Sequence, residues 1–228
     1  MDEEDSVLLL EAKLTNLKKA LIDYANLIES MVNKSMCGLL KKDKDQLQDI
    51  INKYEPWTNE LEMEIDEIGT NLIAQHEPKA KDLRIALMIL KINNDLERIG
   101  DHLVNIAESA LYLIERPQVK PLIDIPKMGE TVTKMIQESI DAFINEDAKL
   151  AQQVCEQDSI VDGLMEQVMR ELITYMTSDP KTIERSMHLI RIAHNLERIA
   201  DLSTNISEDV IFIVEGRIIK HGMGQTDK

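Results

Sequence analysis

One run of residues occurs twice in this chain. Residues 94–108 read Asn-Asp-Leu-Glu-Arg-Ile-Gly-Asp-His-Leu-Val-Asn-Ile-Ala-Glu, and residues 194–208 read His-Asn-Leu-Glu-Arg-Ile-Ala-Asp-Leu-Ser-Thr-Asn-Ile-Ser-Glu. Glu97 matches Glu197 and Asp101 matches Asp201, at one fixed offset. A shared L-E-R-I-x-D-x-x-x-N-I-x-E in a chain of 228 residues marks an internal duplication. It restricts the fold to two copies of one unit, each carrying this run near its end.

Both copies read as amphipathic helix. Ile92, Leu96, Ile99, Leu103, Ile106, Ala110 and Leu113 alternate at spacings of four and three, and Ile192, Leu196, Ile199, Ser203, Ile206, Val210 and Ile213 repeat them. That spacing draws one buried seam along a helix. A polar stripe runs beside it, through Glu97, Asp101, Asn105 and Glu108, and again through Glu197, Asp201, Asn205 and Glu208. Carboxylates four residues apart sit one turn apart and repel by a few tenths of a kcal/mol, about 0.2–0.5. A cost repeated in both copies implies an offset, from basic partners or from a bound cation.

The rest of the chain fits helices packed on helices. Aromatics are 3% of residues, and Gly (8) and Pro (6) are few; such a composition argues against a β-sandwich. The length allows a sizeable core in one or two domains. A formal net charge of -16 repels nucleic acid and anionic membrane surfaces and attracts cations or a basic protein surface. Cys37 and Cys155 stand outside any C-x-x-C and read as reduced core thiols. Met1 to Ser6 is acidic, unlike a signal peptide, and no apolar run approaches the roughly 20 residues that cross a bilayer. The expected location is cytoplasmic.

Six helices are expected. The first runs from about Ser6, capped by Asp5 or Ser6, to Leu40. The second runs from about Lys44 to Gln75, kinked or broken at Pro56. The third begins near Pro78 and ends near Glu115. Three of the six prolines fall between Arg116 and Lys127, which reads as a linker. The second set covers Pro126 to about Ile144, Glu146 to Met176, and Pro180 to about Val214, with Asp179 capping the last. Gly216 closes it and the tail frays. Short turns make neighbours antiparallel. The expected fold is therefore all-α: two tandem antiparallel three-helix bundles related by an internal pseudo-twofold, with a first repeat over 1–116, a linker over 117–126 and a second repeat over 127–228.

Asp158, Asp162 and Glu166 lie at spacings of four on the middle helix of the second repeat. Packed antiparallel to the last helix, Asp158 and Asp162 would face Glu197 and Asp201. All-oxygen ligation suits hard cations, although in a chain with 42 acids such pairs also arise as an ordinary solvated face. A ferritin-like di-iron site would need Glu-x-x-His pairs on two helices, which are lacking. Arg98 and Arg198 read as salt-bridge partners of a neighbouring helix, and His102, unmatched by Leu202, as a local hydrogen-bonding residue. There is no phosphate-binding Gly-rich loop, G-x-S-x-G or Cys–His pairing, so the case for an enzyme is weak.

The sequence resembles the PhoU family, regulators associated with phosphate-specific ABC transport. The matching residues are L-E-R-I-G-D-H-x-V-N-I-A-E at Leu96 to Glu108 and L-E-R-I-A-D-x-x-x-N-I at Leu196 to Ile206. H-E-P-x-x-x-D-L-R at His76 to Arg84, the acids Asp158 and Asp162, and the S-D-P turn at Ser178 to Pro180 support them. The resemblance implies metal, as iron, zinc or another divalent ion, held by acidic motifs on the second and third helices of each repeat. The implied ligands are Glu97, Asp101, Asp158, Asp162, Glu197 and Asp201, with Glu62 near the first-repeat site. The first repeat's middle-helix pair is Glu55 with Asn59 in one register, or Glu62 with Asp66 in the register that keeps the offset. The resemblance further implies a non-enzymatic homodimer that represses the phosphate-starvation response. Its implied partners are the transporter's ATPase subunit and a sensor histidine kinase. Two rival readings stay open: a metal-dependent helical hydrolase of phosphate esters, and a structural adaptor whose acidic faces bind nothing.

Overall fold

The computed structural model describes residues 3–215, and these are helical almost throughout. Helix α1 spans Glu3–Lys41. A short helix α2, Lys44–Asp49, passes through a π-helical stretch, Ile50–Tyr54, into α3, Glu55–His76. Helix α4 covers Lys81–Ile114, α5 Asp124–Asn145 and α6 Ala148–Ser178. A 3₁₀ turn at Pro180–Thr182 leads into α7, Ile183–Glu215. Helices α1, α2–α3 and α4 pack as one three-helix bundle and α5, α6 and α7 as another. The two bundles join where α4 lies along α7 and α1 meets α5.

The expected seams are the core. Ile92, Leu96, Ile99, Leu103, Ile106 and Ala110 are buried on α4, as are Ile192, Leu196, Ile199, Ser203, Ile206 and Val210 on α7. Each fully buried Leu or Ile contributes about 1.5–3 kcal/mol, so these two helices anchor their bundles. Matching helices facing each other is what a duplicated unit produces when it pairs with its own copy. The polar contacts across α4 and α7 obey the same logic. Lys91 Nζ reaches Asp209 Oδ1 at 2.5 Å, and its counterpart Arg191 reaches Asn105 Oδ1 at 3.1 Å and Glu108 Oε2 at 3.7 Å.

The structure departs from the sequence reading at four helix starts. Helix α4 starts at Lys81 and leaves Pro78 in the turn before it. Helix α1 is already running at Asp5 and Ser6, so neither caps it. Asp147, not Glu146, begins α6: its carboxylate accepts from Lys149 N and Leu150 N at 2.9 and 3.1 Å. Helix α5 starts at Asp124, inside the segment expected as linker. Asp179 behaves as expected and accepts from Lys181 N at 3.1 Å. Gly216 and the tail lie outside the described residues.

Pro56 does not break its helix. It occupies the first turn of α3, directly after a π-helical stretch, so its missing N–H drops one backbone bond where the helical ladder already changes its spacing. The π-helical stretch just before it absorbs one extra residue, and the helical run continues from Lys44 to His76.

Candidate functional site

In the second repeat the antiparallel pairing of α6 and α7 brings four acids within mutual influence. Asp158 and Asp162 come from α6, and Glu197 and Asp201 from α7. Burial, then the neighbouring charges of Asp162, Asp201, Glu197 and Glu208, push the Asp158 carboxyl up to about 6. Glu197 is raised by burial and by Asp201, against the pull of Arg198 and His194. Asp158 Oδ1 is buried without a hydrogen-bond partner. Glu197 Oε2 is buried too; His194 Nδ1 lies 3.2 Å and Arg198 Nε 3.6 Å away, but neither makes a well-directed hydrogen bond to it.

The first repeat repeats the arrangement without a counterpart of Asp158. Glu97 on α4 is raised by burial, then by Asp101 and Glu62. Glu62 on α3 is raised by burial and by Asp66. The register that preserves the offset is therefore the one the fold uses: Glu62 and Asp66 face α4, where Asp66 Oδ1 accepts from Asn93 Nδ2 at 3.0 Å. Glu55 and Asn59 do not enter this charge group. The place matching Asp158 holds Thr58, buried and bonded to Glu55 O at 2.8 Å.

Tyr24 escaped the sequence reading as a site residue. It sits in the apolar seam of α1, fully buried, with an unpartnered hydroxyl. After burial, the charges of Glu97, Glu62 and Asp101 raise its phenol further, so a neutral O–H lies beneath the first acidic group. Cys155 lies against the second: burial, then Glu208 and Asp158, push its thiol up to about 11.

Other expected residues serve different ends. Arg98 pairs with Asp95 of its own helix at 3.7 Å, and Arg198 with Asp201 and Glu197 of its own helix at 3.0 and 3.6 Å. Neither bridges to a neighbouring helix as expected, because i to i+3 partners are closer at hand. His102 Nδ1 meets Asn195 Oδ1 at 2.8 Å, which joins the two repeats. Asn105 and Glu108 end the polar stripe at Arg191, also across the repeats.

Among the described residues, no three His, Cys, Asp or Glu side chains form a group that could hold a metal ion as they stand. The donor set nevertheless fits a cation chemically. Buried carboxylate oxygens without partners and carboxyls raised by one another's charge are the conditions that a divalent ion relieves; the side chains would have to swing together to reach one.

Two like helical bundles, each with an acidic group between its second and third helices, define a duplicated all-α class of protein. A family model described as "PhoU domain" matches residues 21–110 and 125–210, once in each bundle. A phosphate-specific transport system accessory protein PhoU homolog of Aquifex aeolicus (strain VF5) is 40% identical, over 92% of this chain and 94% of that protein. The homolog of Pseudomonas aeruginosa is 36% identical over 92% and 87%. The crystal structure of PhoU from Pseudomonas aeruginosa superposes with a TM-score of 0.87, covering 91% of this chain and 99% of that one. A phosphate transport system regulatory protein PhoU from Streptococcus pneumoniae, at 25% identity, gives 0.85 over 93% and 100%. The chain belongs to the PhoU family.

Proposed function

We propose that the protein is an accessory regulator of phosphate-specific transport that represses the phosphate-starvation response when phosphate is ample. The observation that carries this reading is the match of both repeats, over nearly the whole chain, to proteins named as phosphate-transport accessory proteins. In this reading it works in the cytoplasm as a homodimer and has no catalytic activity of its own. It acts by contact with the transporter's ATPase subunit and with a sensor histidine kinase. No described helix is long and apolar enough to cross a membrane, so a membrane system is met through such partners.

Divalent metal, as iron, zinc or another ion, is part of the proposal. Asp158, Asp162, Glu197 and Asp201 would hold it in the second repeat, and Glu62, Glu97 and Asp101 in the first. A bound ion would neutralise the carboxylate repulsion and fix α6 to α7 and α3 to α4. The test is sedimentation of the purified chain with the ATPase subunit and with the kinase's cytoplasmic portion, alongside elemental analysis. Complex formation with at least one partner is expected; binding to neither rejects the contact mechanism. Metal that fails to bind under any loading condition rejects the metal part alone.

A further inference from the structure

The two repeats use one helix face differently. On α3, Trp57, Glu60, Glu64, Glu67 and Asn71 follow at spacings of three and four, which places them on one outward stripe. All are exposed, Trp57 at 51%, and neighbouring Met63 is the most exposed large apolar side chain described, at 69%. Between Glu55 and His76 the helix carries six acids and no Lys or Arg. The side chains of Glu60, Glu64, Glu67 and Asn71 make no hydrogen bond or ion pair among the described residues.

On the matching stripe of α6 the polar side chains Gln157, Gln167 and Glu171 are all engaged, and Ile160 is exposed. Gln157 donates to Glu138 of α5 at 2.6 Å and Gln167 to Asp124 at 3.4 Å. Glu171 takes the ammonium of Lys120, which also lies 3.4 Å from Asp124. A lysine on the segment joining the repeats is thus laid onto this face of the second bundle and buried there. The fold contains its own example of what the stripe accepts: a connecting segment with a basic side chain.

We propose that the outer face of α3 docks a basic segment of a partner protein. Its Lys or Arg heads meet Glu60, Glu64 and Glu67, and the aliphatic stems lie across Trp57 and Met63. Charge selects the occupant. A second copy of a chain with net charge -16 brings the wrong sign to this face, and nucleic acid or an anionic membrane is repelled by it. Tryptophan is among the residues most often found as energetic anchors of interfaces, and cations favour the face of an indole ring. Tyr54, the last residue of the π-helical stretch, has its ring centroid 6.3 Å from that of Trp57.

The inference rests on the regulatory reading, and the experiment separates the two. Trp57 is the only tryptophan, so 5-fluorotryptophan labelling gives a single ¹⁹F resonance. Unlabelled transporter ATPase subunit and kinase cytoplasmic portion are the probes, with complex formation followed independently by sedimentation. The expected result is a shift or broadening of the resonance when either complex forms, reversed by raising salt. The charge-reversed variant E60K/E64K/E67K, checked for unchanged helicity, is expected to bind at least about tenfold more weakly, the loss of a few interface ion pairs. A complex that leaves the resonance and the variant's affinity unchanged overturns the docking face while the regulatory reading stands. No complex with either probe overturns both. A resonance that shifts with protein concentration alone assigns the face to a second copy and overturns the proposal.

Discussion

Asp95 and Asn195 occupy matching places in the two repeats, yet their surroundings differ. Asn195 is satisfied by His102; the residue matching His102 is Leu202, which offers Asp95 nothing. Asp95 is 5% exposed and its Oδ2 lacks a partner. Burial is the main cause that pushes its carboxyl up to about 6, with Arg98 and Lys91 pulling down and Asp209 pushing up. A carboxyl raised on folding holds its proton more tightly in the folded chain. Its contribution is therefore most favourable below its ordinary value of 3.8 and is lost as pH rises through about 6. Asp95→Asn, which copies the second repeat, is expected to stabilise the protein at pH 7.5 by roughly 1–3 kcal/mol. The gain should vanish near pH 4. Urea unfolding at both pH values checks this, and a variant less stable than wild type at pH 7.5 contradicts it. The charge of Asp95 was visible in the sequence, but the absence of a partner was not, because it depends on which helix lies opposite.

At the scale of the helices, the apolar seams were legible because burial on one face imposes a spacing of three and four that nothing else in the chain imitates. Asp179 was legible because Asp before Pro is chemically suited to start a helix. The turns at Lys42, Glu77 and Glu146 were legible as well, although these residues and Ala80 take positive φ where glycine is the usual sign. The start of α4 at Lys81 was hidden. The π-helical stretch was hidden too: one inserted residue leaves Leu47, Ile50 and Ile65 on the buried side, and the pattern reads as unbroken.

The same scale decides how the acidic groups differ. Both carboxylate pairs on α4 and α7 could be read from spacing, but Thr58 opposite them could not. Helix α6 supplies Asp158 where α3 supplies Thr58, so the second repeat offers more anionic ligands to a hard ion. Asp201→Asn is expected to remove more bound metal than Asp101→Asn. Each variant should melt higher than wild type when stripped by chelator, since repulsion is relieved, and gain less on reloading. Metal content and thermal midpoint with and without chelator test this; equal metal loss from both variants contradicts it. As a control on helix α6 itself, Asp147→Ala should cost about 1 kcal/mol, the ordinary worth of a helix cap, without altering metal content. A change in metal content would show that the cap and the site are coupled.

For the whole molecule, duplication explains why so much was legible and where it stopped. Two like units must bury like seams, so the fold class follows from one repeated motif; the pairing of α4 with α7 does not, since like units can also stack end to end. What the copies no longer share, Leu202 for His102, Thr58 for Asp158 and Trp57 for Gln157, marks where they have diverged. The function we propose is repression of the phosphate-starvation response. Its most direct measurement is expression of the starvation-induced phosphate transporter in phosphate-rich medium, in source cells lacking this gene and in the same cells with it restored. The account expects high expression without the gene and repression once the intact chain returns. Expression that stays repressed without it would contradict the account.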